Sequence, residues 1–203
     1  RELHADPRLL QQLASSRTAL VVPAFEVDAR QPLPRQQASL AALAHASPPL
    51  ASGFHVGHFP AGHAPTDFGR WFGAAAPYEV GFEEYYEPYV VVSRKWVPKY
   101  DERFRGYGMN KVAHLYATAA RGARFVVQPR GFVVAHEHHK SGAWEATFGS
   151  KAHPLQRMRI AALYKRLKNE QPPLPLPPAS PPPPSPPPQA SASASAVAAP
   201  AAA

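Results

Sequence analysis

The run MNKVAHLYATAARGARFVVQPRGFVVAHEH, residues 109–138, changes its hydrophobic period along its length, and that change sets the fold class. Val112, Leu115 and Tyr116 recur at helical spacing, and Gly122 marks the stop, so residues 109–120 are predicted as a helix. ARFVVQP and GFVVAHEH then read as two strands of branched residues joined by a tight turn at Pro129-Arg130-Gly131. A helix feeding strands is the unit of a layered α/β architecture.

The same alternation extends outward. TALVVPAFEV (18–27) reads as a buried strand interrupted by Pro23, which has no N–H and so implies an edge strand or a bulge. ADPRLLQQLA (5–14) and PRQQASLAALAHA (34–46) have helical patterns, the first with Asp6 as cap and Pro7 in the first turn. GFHVGHFPAGHAP (53–65) is rich in turn formers and is expected as a surface loop, and Asp67 sits where its charge favours the start of a short helix. EPYVVVSR (87–94) is a further strand. HPLQRMRIAALYKRLKNE (153–170) is a basic amphipathic helix whose contact face is expected to hold Leu155, Met158, Ala162 and Leu167. Its cations form either a solvated face or a surface for acidic membranes.

Composition narrows the function. The chain has 203 residues and 26 prolines, 22 basic against 14 acidic side chains, and no cysteine, which excludes disulfides, thiolate zinc sites and a cysteine nucleophile. Half the prolines, 13 of 26, fall in the uncharged residues 171–203. This segment is expected to be polyproline II followed by disorder, serving either as a spacer or as a ligand for an SH3- or WW-type groove. The net charge of +8 belongs wholly to residues 1–170. Its basic residues are scattered and lack an RNA-binding aromatic signature, so no nucleic-acid partner is expected. No apolar run is long enough for a transmembrane helix. The chain starts at Arg1 rather than methionine, which reads as a fragment or a processed piece.

Candidate chemistry lies in three places. His136 and His138, two apart on a strand, can share one metal ion or can be ordinary solvated surface. Glu87 precedes Pro88 and a buried-looking strand, so it is either a desolvated general base or half of an ion pair with an arginine. Gly106-Tyr107-Gly108-Met109-Asn110-Lys111 is a glycine turn that opens a helix with an amide and a cation, an arrangement suited to an anionic or polyhydroxyl ligand. Only four aspartates occur, and no two form a D-x-D. Walker A, GxGxxG and GxSxG signatures are all absent.

Taken together, ALVVPAFE (19–26), GHAPTDFGRW (62–71), YEPYVVVSR (86–94) and KYDERFRGYGMNKVAHLYATAARGARFVVQPRGFVVAHEHH (99–139) resemble one family in order and spacing. They are similar to the C-terminal glucuronyltransferase domain of LARGE-type enzymes and to the related β-glucuronyltransferase, glycosyltransferases of family forty-nine. The resemblance implies a GT-A fold whose C-terminal portion occupies residues 1–170, with the proline-rich tail at 171–203 outside it. It implies Mn2+-dependent, inverting transfer of a sugar, typically glucuronic acid, from a UDP-sugar donor to a glycan or glycoprotein acceptor. Residence on the lumenal side of the Golgi membrane as a type II protein is also implied.

The family holds its metal with an upstream D-x-D and a histidine near the end of the domain. The D-x-D is missing here, so the chain is expected to carry the back half of a metal site. An ungapped alignment puts the metal histidine on Ala135, leaving His136 or His138 as the ligand. By the same resemblance Glu87 is the base, and His63, Thr66, Asp67, Trp71, Asp101, Arg103, Asn110 and Lys111 lie in shared substrate-binding motifs, with Asp101 and Arg103 alternatively a pair that fixes its loop. The rival expectation is a non-catalytic carbohydrate-binding or adaptor protein that docks through its polyproline tail.

Overall fold

A computed structural model describes residues 11, 13, 15–136, 141–149 and 154–175. In chain order its elements are β1 (Thr18–Val22), β2 (Ala24–Val27), α1 (Gln37–Ala44), β3 (Ala51–Gly53), α2 (Pro60–His63) with a following 3-10 turn (Ala64–Thr66), α3 (Phe68–Gly73), β4 (Tyr78–Val80), β5 (Tyr89–Val91), α4 (Asn110–Ala120), β6 (Arg124–Val127), β7 (Val133–His136), α5 (Gly142–Phe148) and α6 (Pro154–Glu170). The mixed α/β expectation is met. Most of the helix expected at 5–14 lies outside the described residues; within it Gln11 and Leu13 are helical.

Pro23 organises the sheets. It ends β1 and leaves β2 to begin one residue later, yet neither half is an edge: β1 lies between β5 and β6 in the order β4-β6-β1-β5, and β2 lies between β3 and β7. The edge-strand expectation is therefore replaced by a break between two interior strands. What makes the break tolerable is that the partner chain breaks opposite it. β6 runs parallel to β1 with Leu20 opposite Val126, and β7 runs parallel to β2 with Phe25 opposite Val134. Between them Gln128 N–H donates to Val21 O (2.9 Å) and Val133 N–H donates to the Pro23 carbonyl (2.9 Å). The proline thus spends its only backbone hydrogen-bonding group on the ladder. β6 and β7 do not pair with each other, so Pro129-Arg130-Gly131 is a step between collinear strands and not a hairpin turn.

The interior is built on these strands. Phe25, Val27, Val21, Phe125 and Val127 are buried, with Leu40 of α1, Trp71 of α3 and Leu115 of α4 packed in the same cluster. Trp71 is fully enclosed and its indole Nε1–H donates to Gln128 O (2.9 Å), tying α3 to the β6–β7 step. Helix α4 buries nine of its 11 residues, which its alanine-rich, all-round apolar sequence permits. One face meets the sheet through Leu115 and Ala119; another meets α6 through Val112, Ala113, Tyr116 and Ala120.

Helix α6 answers with Tyr164 and Leu167, and it also buries Ile160. The contact face expected from sequence is thus rotated: Leu155 and Met158 are 65% and 64% exposed, Ala162 is exposed, and only Leu167 is shared. Leu174, within the stretch expected to be unstructured, packs against both clusters, while residues 176–203 lie outside the described set. Among the described residues no helix is long and apolar enough to cross a membrane.

Candidate active site

The segment expected as a surface loop is exposed at Gly57, His58, Pro60, Ala61 and Ala64, but it buries Gly62 and His63. Phe54 N–H donates to Ala24 O (2.8 Å), and Glu26 at the strand end receives both His55 N–H (3.1 Å) and, at 3.4 Å, the His55 Nε2 atom. Pro60 opens α2, and Gly62 is there because nothing larger fits: a Cβ would sit 2.4 Å from the Phe59 ring and 3.2 Å from Glu87 Cγ. The Gly62 carbonyl accepts from Glu87 N–H (2.9 Å), fastening α2 to the segment that leads into β5.

A second fastening lies one turn on. Thr66 Oγ1 and Tyr86 Oη are 2.9 Å apart in a fully enclosed pair, and Tyr78 Oη–H donates to the carbonyls of Thr66 (2.9 Å) and Asp67 (3.1 Å). Burial pushes both phenols well above the ordinary tyrosine range, so they remain hydrogen-bond donors. Asp67, left-handed at φ 56, caps α3 by accepting from Arg70 N–H (3.1 Å). The motif residues Thr66, Asp67 and Trp71 therefore form the frame on which His63 is held.

His63 itself is 2% exposed. Its ring lies edge-on to Phe54 (centroids 5.1 Å apart), and its Nε2 lies 3.6 Å from Glu87 Oε1 with no hydrogen-bond partner. Lys111 faces the same carboxylate from the first turn of α4. Burial pulls its ammonium below the ordinary lysine value, and the nearby Glu87 charge pulls it back. The Lys111 Nζ also stands 4.3 Å from the Tyr89 ring centroid, a cation–π distance. Two residues picked from separate motifs, His63 and Glu87, thus meet, and Lys111 acts on the same carboxylate at longer range through its charge.

The turn before α4 places this lysine. Gly106 (φ +86), Gly108 (φ +105) and Met109 (φ 61) are all left-handed, and a Cβ on Gly108 would lie 3.0 Å from the Phe148 ring. Asn110 Oδ1 accepts from Lys111 N–H (2.9 Å), filling one of the free amide positions of the helix start. Exposed Tyr89 and Tyr107 border the cluster: burial raises the Tyr89 phenol, and the charges of Glu87 and Tyr107 add to that. An ionisable carboxylate between a buried imidazole and a part-buried ammonium, flanked by open aromatic faces, can accept a proton from a hydroxyl and hold a polyhydroxyl ligand beside it.

Residues 3–170 match the family described as glycosyl-transferase for dystroglycan. The chain belongs to this family. Its similar relatives include the xylosyl- and glucuronyltransferase LARGE2 of Homo sapiens, 44% identical over 126 residues, which are 62% of this chain and 17% of that protein. LARGE2 of Mus musculus is 41% identical over 140 residues, 68% of this chain and 20% of its own length. LARGE1 of Gallus gallus is 40% identical over 130 residues, 64% and 17%. The chain thus spans about a fifth or less of the length of these curated relatives. The resemblance to LARGE-type glycosyltransferases read from the four motifs is met.

The other expected site residues of this family member lie elsewhere. Asp101 and Arg103 do pair: Arg103 forks between Asp101 Oδ2 and Glu170 Oε2, both 2.6 Å away, and fastens the 101–103 loop to the end of α6. The guanidinium holds both carboxyls below their ordinary range. His136, at the end of β7, has Nε2 2.8 Å from Gln31 O, so that nitrogen is engaged with the backbone. His138 lies outside the described residues. Among the described residues no group of three or more metal-binding side chains is close enough to hold an ion, so those residues do not by themselves fit a manganese site. Glu26, Gly62 and Tyr89 were not singled out as site residues by the sequence, although all three fall inside the quoted motifs.

Proposed function

We propose that this chain forms part of a GT-A-type glycosyltransferase that transfers a sugar, glucuronic acid by preference, from a UDP-sugar to a hydroxyl of a glycan with inversion, on the lumenal side of the Golgi. The observation that carries the proposal is the position of Glu87, half-buried, fastened by its own N–H to Gly62, and set between His63 and Lys111 beside two open tyrosine rings. Family membership supplies the reaction class.

In the proposed step a Glu87 carboxylate oxygen takes the proton of the acceptor hydroxyl. The hydroxyl oxygen attacks the anomeric carbon from the face opposite the diphosphate, and the carbon–oxygen bond to UDP breaks with its electron pair leaving on UDP. Lys111 and Asn110, at the α4 N-terminus, bind hydroxyl or carboxylate groups of the sugar, and Tyr89 and Tyr107 pack against its ring. A divalent cation, Mn2+ in this reading, would neutralise the departing diphosphate.

The test is turnover and calorimetry of the full gene product with UDP-sugars, with and without Mn2+. Glu87→Gln should lower kcat by at least about 100-fold while UDP-sugar affinity changes less than about threefold. Absence of UDP-sugar binding in the presence of Mn2+, or a Glu87→Gln enzyme within threefold of wild type, would refute it.

A further inference from the structure

We infer that His63 is a positioning residue for Glu87: its imidazole Nε2–H holds Oε1 and thereby turns Oε2 toward the acceptor hydroxyl. The inference rests on the proposed role of Glu87 and goes beyond it by assigning what aims the base.

His63 lies too deep to touch a substrate directly, being 2% exposed, and it reaches the site only through Glu87. As packing, an imidazole is a poor choice here. The walls around it are Phe54, edge-on at 5.1 Å, and His55 with ring centroids 6.3 Å apart. An apolar side chain would fill that space without burying an unpaired nitrogen, which is what the Nε2 atom is. Every fixture around it keeps that nitrogen pointed at one target. The α2 turn is bonded to Glu87 through the Gly62 carbonyl, and Thr66 is bonded to Tyr86, the residue before Glu87.

The two elements that carry the histidine and the carboxylate are therefore locked at both ends of the contact. A separation of 3.6 Å is slightly longer than a hydrogen bond, the usual state of catalytic contacts before substrate arrives. Lys111 cannot do the same task. Its ammonium sits over Tyr89 on a four-carbon stem and supplies charge without a fixed direction. An Nε2–H on Oε1 fixes the carboxylate plane, and a base misaimed by about 1 Å loses on the order of 100-fold in rate.

The experiment is a double-mutant cycle on the full gene product, with His63→Ala, His63→Gln, Glu87→Gln and the His63→Ala/Glu87→Gln pair. His63→Ala should lower kcat by about 10- to 100-fold with both KM values within threefold. His63→Gln, which keeps an N–H donor, should recover at least about tenfold of that loss. In the Glu87→Gln background His63→Ala should cost less than about threefold more.

Equal loss in both backgrounds, equal loss in the Ala and Gln variants, or no loss would overturn the assignment. If Glu87→Gln is inactive and His63→Ala is not, this inference alone falls; if Glu87→Gln stays active, the base assignment falls with it. Nitrogen-15 spectra of the wild-type chain give a second reading that needs no activity. A protonated Nε2 whose resonance moves on Glu87→Gln supports the contact, and a neutral ring protonated only at Nδ1 overturns it.

Discussion

The enclosed pair between Thr66 and Tyr86 gives a sharp test of how the site is held together. Thr66 is 2% exposed and Tyr86 fully buried, and their oxygens are 2.9 Å apart. Tyr86→Phe leaves the Thr66 hydroxyl buried without that partner, at a cost of about 1–3 kcal/mol. Thr66→Val keeps the shape and strands the Tyr86 phenol in the same place, again at about 1–3 kcal/mol. The double variant removes both polar groups and leaves two apolar ones of similar size, so it should lie within about 1 kcal/mol of wild type. Coupling on the order of 1–6 kcal/mol is thus expected where simple addition would give about 2–6 kcal/mol of loss. Urea unfolding of the four proteins, followed by tryptophan fluorescence, measures it. A double variant destabilised by the sum of the two single changes would refute the reasoning, because the hydroxyls would then be acting separately.

Other changes have equally definite outcomes. Gly62→Ala must push against Phe59 and Glu87, and should destabilise by about 1–3 kcal/mol in thermal unfolding. It should also lower turnover, since the displaced atoms belong to the base. Ile160→Ala should cost about 2–5 kcal/mol, while Leu155→Ala on the same helix should stay within about 0.5 kcal/mol, a contrast that urea titration reads directly. Arg103 depresses the carboxyls of Asp101 and Glu170, so its contribution is complete above the unfolded carboxylate range and fades as pH falls through the lowered values. Arg103→Met should accordingly be less stable than wild type at pH 7, and the gap should close below about pH 4. A gap that persists at acid pH would show that the arginine acts by packing alone.

Much of the framework was legible because it is written in periodicity. The helices expected at 109–120 and 153–170 are found at Asn110–Ala120 and Pro154–Glu170, and the 18–27 strand is found with its break at the proline. What escaped was structure whose cause lies elsewhere in the chain. β3 and β4 are three residues each and exist because β2 and β6 offer them an edge. The short α5 was not expected either; Ser141 Oγ caps it by accepting from Trp144 N–H (3.2 Å). The α6 face was misjudged because Leu155 and Met158 are as apolar as Ile160, and only the position of Tyr116 and its neighbours decides which stripe is covered.

The site divides the same way. His63, Glu87 and Lys111 were each visible as unusual residues, but nothing in their spacing says that the first two meet. That fact is carried by the Gly62–Glu87 and Thr66–Tyr86 bonds, which only the folded chain contains.

The parallel partnership of the strand on either side of Pro23 has a consequence for assembly. β1 and β2 are made before their partners β6 and β7, which lie roughly a hundred residues downstream, and β4 pairs with β6. Until residue 136 has emerged, the first strands can find only short antiparallel neighbours, β3 and β5. Loop closure on that scale makes folding slow and leaves little for a partial chain to settle into. A nascent chain stopped at α4 would hold Glu87, His63 and Lys111 but not the strands that hold the two sheets together. Arrest sites placed along the coding sequence should accordingly show protease resistance arriving late and in one step, once β7 has cleared the ribosome.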